Sequence, residues 1–203
     1  MCFFPLFLLL FAVLANAQQI AVGVFHTLAL KSNGIMYSWG SGFNGELGNG
    51  KDTMFNTPQP VIQSGVLTGK KIVQVSLGNF HSLALADDGT LFAWGGNSSG
   101  QLGNGDNSGS YVPVAVIVGD ALKDKKIMQI SVGLSHNIAL SDDGSLFAWG
   151  HNGYGQLGIG NDTKSNIPMA VIMDGALNGK KITHLSAGGY HSLALADDGT
   201  LFS

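Results

Sequence analysis

A repeat of constant length restricts this chain more than any other feature. The octapeptide Gly23–Leu30, G-V-F-H-T-L-A-L, returns as G-N-F-H-S-L-A-L from Gly78, G-L-S-H-N-I-A-L from Gly133 and G-G-Y-H-S-L-A-L from Gly188. Its histidines, His26, His81, His136 and His191, stand 55 residues apart, and Trp39, Trp94 and Trp149 keep the same step. A period of this length implies one supersecondary unit per copy, each burying its apolar surface against its neighbours, as in propellers and solenoids.

One period reads as four short extended segments. In the second copy, Lys71–Ser76 alternates polar and apolar residues, the pattern of a half-buried strand. His81–Ala86 follows, with Leu83 and Leu85 on one face and the small residues Ser82, Ala84 and Ala86 on the other. Asp87-Asp88-Gly89 has the chemistry of a hairpin turn, and Leu91–Trp94 returns with Phe92 and Trp94 on one face. After the glycine-rich loop G-G-N-S-S-G-Q-L-G-N-G, the fourth segment is expected at Pro113–Val118, with proline at the strand entrance; Pro58 and Pro168 fill the same slot. Thirty glycines against five prolines agree with many tight turns and an all-β chain.

The combination of G-x-x-H-S-L-A-L, D-D-G-T-L-F-A-W-G and G-Q-L-G-N-G resembles the regulator-of-chromosome-condensation repeat, over Ile20 to Ser203. Spacing alone also admits a kelch-type propeller, with a period of about 50 residues, but the motifs favour the former. The resemblance implies β-propeller blades of about four antiparallel strands each, in a family of seven-bladed rings. Three copies (approximately 20–74, 75–129 and 130–184) and part of a fourth (185–203) make an incomplete, open propeller. The next tryptophan falls due one residue past Ser203, so the expectation is a fragment whose missing blades come from the rest of a longer chain, or else a subunit closed by other copies.

The apolar run from Cys2 to Ala15, closed by Ala15-Asn16-Ala17, reads as a secretory signal over residues 1–17, although no Lys or Arg precedes it. It falls short of the ~20 residues of a spanning helix, so no membrane insertion of the mature chain is expected. The expected location is therefore secreted or on the extracellular surface. The only cysteine, Cys2, lies in this segment, so the mature chain would hold no disulfide. Asn97-Ser98-Ser99 and Asn161-Asp162-Thr163 are glycosylation sequons on a eukaryotic secretory route. With net charge −3, there is no basic surplus for phosphates, and nucleic acid is not an expected partner.

Features that recur in every copy are read as scaffold. The histidine of each repeat serves packing rather than a metal, a role the resemblance also implies. Of the two others, His151 is assigned to the surface of a variable turn and His184 is left outside the pattern. The acid pairs at 87–88, 142–143 and 197–198 are turn residues, since Lys31-Ser32-Asn33-Gly34 fills their slot in the first copy. The lysine pairs at 70–71, 125–126 and 180–181 are solvated strand-edge charge. The glycines of L-G-N-G and L-G-I-G lack the context of a phosphate loop, and no catalytic motif is present, so no catalytic residue, cofactor or metal is assigned.

Function is then expected where the copies differ. Three variable stretches stand out: the turn after each tryptophan, the residues before each proline, and a segment such as Asp120–Asp124 before the paired lysines. Phe43, Phe55, Tyr111 and Tyr154 are the candidate anchors for a protein partner. The expected function is a non-enzymatic, protein-binding propeller scaffold that engages a macromolecule through variable loops. The resemblance also implies alternatives: guanine-nucleotide exchange on, or other regulation of, a small GTPase, a secreted enzyme inhibitor, or a receptor ectodomain.

Overall fold

The computed structural model describes residues 17–203. The assigned leader lies outside the described residues except for Ala17, which opens the first strand. The chain is all-β, with four antiparallel sheets laid out in sequence order. The first holds β1 (Ala17–Val22), β2 (His26–Lys31), β3 (Met36–Gly40) and β4 (Phe55–Pro60), and the second β5 (Ile72–Leu77), β6 (His81–Ala86), β7 (Leu91–Gly95) and β8 (Ser110–Ala115). The third holds β9 (Ile127–Val132), β10 (His136–Ser141), β11 (Leu146–Gly150) and β12 (Ser165–Ala170), and the fourth β13 (Ile182–Ala187), β14 (Ser192–Ala196) and β15 (Leu201–Phe202). The first strands of successive sheets lie beside one another, so β1, β5, β9 and β13 form the inner edge and β4, β8 and β12 the outer one. These are propeller blades in an open arc. Each begins on a strand that the approximate repeat bounds had cut through, because β5, β9 and β13 pair with the strands that follow them.

The core lies between the sheets. Every residue of β6 and β7 is buried. Towards the first sheet, Ala84, Ala86, Phe92 and Trp94 pack with Leu28, Leu30 and Met36. Towards the third, Leu83, Leu85, Leu91 and Ala93 pack with Ala139, Phe147 and Trp149. Large residues thus oppose small ones across these two interfaces, which lets the sheets pack closely.

The fourth strand differs from expectation. It spans Ser110–Ala115 rather than Pro113–Val118, and Pro113 is its fourth residue, not its entrance. Pairing shifts register between Ala93 and Gly95, and Pro113 sits within that irregularity on an outer strand, where its missing N–H leaves no ladder position empty. Pro58 and Pro168 repeat the arrangement.

Polar residues join the blades. The Ser82 hydroxyl donates to the Glu46 carbonyl at 2.9 Å, which leaves its oxygen to accept from His26 Nε2–H at 2.8 Å. Asn137 does the same between Gln101 and His81, and Ser192 between Gln156 and His136. The carbonyls of Glu46 and Gln101 accept a second bond, from the indole N–H of Trp94 at 3.0 Å and of Trp149 at 3.1 Å. Glycine is required where these rings lie: a Cβ on Gly78 would come within 2.4 Å of the His81 ring, and one on Gly48 within 2.7 Å of the Trp94 indole nitrogen. Burial lowers the pKa of His26 to about 3 and of His81 and His136 to about 4, so all three are neutral at physiological pH. At the inner edge the side-chain amides of Gln19 and Gln74 each pair with both backbone groups of the next blade, at Val75 and Ile130. His184 occupies the corresponding slot in the fourth blade, which explains its departure from the histidine period. The lysine and acid pairs prove to be one device: Lys70, Lys125 and Lys180 bridge to Asp88, Asp143 and Asp198 within their own blades.

Candidate binding face

Because the strands alternate in direction, the loops between first and second strands and those between third and fourth strands gather at one end of the arc. The candidate aromatics lie in or beside the second kind. Phe43 is 62% exposed and Tyr154 73% exposed, while Tyr111, 41% exposed at the start of β8, donates its hydroxyl to the Phe43 carbonyl at 3.3 Å. The structure brings Phe43 and Tyr111 together, places Tyr154 two blades further on, and half-buries Phe55 beneath the Lys51 ammonium, 5.4 Å from its ring centre.

Three further aromatics join them from the first kind of loop. Phe25 and Phe80 stack with centroids 5.4 Å apart, and Tyr190 meets Tyr154 edge to face at 5.2 Å, with His151 beside both. The sequence reading passed over them because they stand next to the repeated histidine. Their own position varies through Phe25, Phe80, Ser135 and Tyr190, and that variation was the available signal.

Asn97 is not an exposed sequon. It is 2% exposed, and its Nδ2 donates to the Asn104 side chain, the Asp106 carbonyl and the Ser108 carbonyl at 3.0–3.1 Å, while Leu102 N–H donates to its Oδ1. It pins the loop to itself, as Asn152 does in the next copy, and a glycan on that nitrogen is incompatible with the folded loop. Asn161 is exposed, and only its Oδ1 is engaged, by Thr163 N–H.

Two concavities stand out among the described residues. One, of about 350 Å³, lies between the third and fourth blades, lined by Gln156, Gly158, Ala194 and Phe202. Gln156 and Gly158 repeat the positions of Glu46 and Gly48, which receive Trp94, so this space belongs to the blade interface. The other, of about 370 Å³, opens on the loop end between the first two blades, walled by Phe43, Phe80 and Tyr111 with Gln101 at its base. Among the described residues, no cluster of His, Cys, Asp or Glu could hold a metal ion, and no helix is long and apolar enough to cross a membrane.

The RCC1-like domain family matches over residues 4–203. The chain belongs to this family. Among its relatives, the human E3 ubiquitin-protein ligase HERC2 is 36% identical over 92% of the chain, and the Arabidopsis thaliana ultraviolet-B receptor UVR8 is 34% identical over 91%. Human WBSCR16 superposes with a TM-score of 0.80 at 29% identity over 92% of the chain. Saccharomyces cerevisiae Prp20p, described as binding Gsp1p and histones, superposes at 0.76 with 20% identity over 91%, a likeness of fold. The chain spans 4% of HERC2, 40% of UVR8, and 46% and 45% of the WBSCR16 and Prp20p chains.

Proposed function

We propose that this protein is a non-enzymatic binding scaffold that engages a protein partner through the loop end of its blades. The observation that carries the reading is the gathering of Phe25, Phe43, Phe80, Tyr111, Tyr154 and Tyr190 in or beside loops where the repeats differ, on a scaffold whose repeated polar residues are spent on joining blades. Large aromatic side chains supply contact area at small entropic cost, and they dominate binding energy at protein interfaces. The apolar leader supports secretion, with Asn161 as the accessible sequon. The chain covers less than half of the WBSCR16 and Prp20p chains, which supports completion of the ring by further repeats of a longer chain.

A photo-crosslinking residue at Phe43 or Tyr154 is expected to trap a protein in the native setting, while one at Val118, at the opposite end, does not. Equal adducts from all three positions, or none from the loop end, would overturn the reading. Acceleration of nucleotide release from a small GTPase by the purified chain would favour the exchange-factor alternative.

A further inference from the structure

The loop after the third strand runs the same course in three blades, and one slot in it differs. The residue two positions after tryptophan is Ser41, Gly96 or His151, and the residue five positions further on is Glu46, Gln101 or Gln156. In each copy a side-chain oxygen of the latter accepts a backbone N–H, from Asn44, Ser99 or Tyr154. The remaining polar atom is engaged in the first and third copies only: Ser41 Oγ donates to Glu46 at 2.6 Å, and Gln156 Nε2 donates to His151 Nδ1 at 2.8 Å. Gly96 has no side chain to offer, so among the described residues Gln101 Nε2 has no protein partner; it is not sealed from solvent but opens on the groove.

That groove selects its ligand. No acidic or basic side chain lines it, and three aromatic rings wall it. Its buried acceptors are already used: Asn97 Oδ1 takes Leu102 N–H and Gln101 Oε1 takes Ser99 N–H. The base therefore offers a donor, with the polar side chains of Asn44, Ser98 and Asn107 at the exposed rim. A proline brings a carbonyl for that donor and an apolar ring for the aromatic walls. Polyproline segments also hold their carbonyls free of internal bonds and dock into aromatic-lined grooves at little entropic cost.

We propose that the groove opened by Gly96 is a recognition site for an uncharged, proline-bearing extended segment of a protein partner, with one ligand carbonyl accepting from Gln101 Nε2 and a pyrrolidine ring packed between Phe80, Phe43 and Tyr111. This rests on the protein-binding reading above and names the chemistry at one part of that face.

The sister repeats supply the test. A Cβ on Gly96 would lie 3.4 Å from Phe80 Cβ, ordinary contact, so Gly96→Ser and Gly96→His fold as their counterparts do while refilling the slot. Titrating the chain with acetyl-hexaproline amide should shift the Gln101 side-chain amide resonances. Gly96→His should weaken that binding at least tenfold with an unchanged unfolding midpoint, and Gly96→Ser should weaken it less. Gln101 resonances that do not move with hexaproline, that move with cellohexaose instead, or that move equally in Gly96→His would overturn the proposal. Selection from a displayed random-peptide library separates this from failure of the broader reading: binders without proline that depend on Tyr154 sink the groove proposal alone, and no binders at all sink both.

Discussion

The seam between blades and the loop end are built from the same repeats yet obey opposite rules. At the seam, residues one period apart do the same work: His26, His81 and His136 each donate to the residue after the next repeat's histidine. At the loop end, equivalent residues diverge, and Gly96 in the place of His151 leaves Gln101 Nε2 without the partner that Gln156 Nε2 has. The seam tolerates little change because its side chains are buried and its hydroxyl, amide and indole groups are engaged across it, the histidine Nδ1 atoms alone among them lacking a partner; the loop end tolerates change because its backbone course is held by Asn97 and Asn152 and by the bonds to Gln101 and Gln156.

The contrast predicts a graded series. Trp94→Ala should be the most damaging, at about 3–5 kcal/mol by urea unfolding, since it empties a fully buried site and strips a bond from the Glu46 carbonyl; a cost under about 1 kcal/mol would mean that the seam is not where stability resides. Acid comes next. The three buried histidines have native pKa values below the unfolded one, so the unfolded chain takes up protons that the native chain refuses, and stability falls as pH drops from about 6.5 to about 4 for His81 and His136 and to about 3 for His26, on the order of 1–3 kcal/mol per histidine, and is flat above that window. Burial, the largest cause of those shifts, makes the direction firm; thermal midpoints at pH 7, 5.5 and 4.5 check it. The bridged aspartates, whose carboxyls the paired lysines hold below the usual range, act only at more acidic pH.

Ser82→Ala should cost about 1–3 kcal/mol, because it leaves the His26 N–H buried and unpaired. Asp143→Asn should cost no more than about 1 kcal/mol, as expected for an exposed ion pair. Phe43→Ala and Tyr154→Ala should stay within about 0.5 kcal/mol of the parent while reducing partner capture. A larger stability loss from either would move that residue from the binding face to the scaffold.

The blades, their order and their turn residues were legible in the sequence because each is written three times and alternation within a strand is a local property. The strand carrying Pro113 was misplaced because its bulge comes from pairing with β7, which no local pattern records. Asn97 read as a sequon because its bonds reach seven to eleven residues ahead and the first copy carries Gly42 in its slot. The period alone determined the architecture and which side chains serve it. Only the tertiary structure decided which variable residues meet: Phe25 reaches Phe80, and Phe43 reaches Tyr111, from different blades, and the free Gln101 donor depends on what stands five residues before it. Repetition specifies a scaffold from within one unit, whereas a site is made between units.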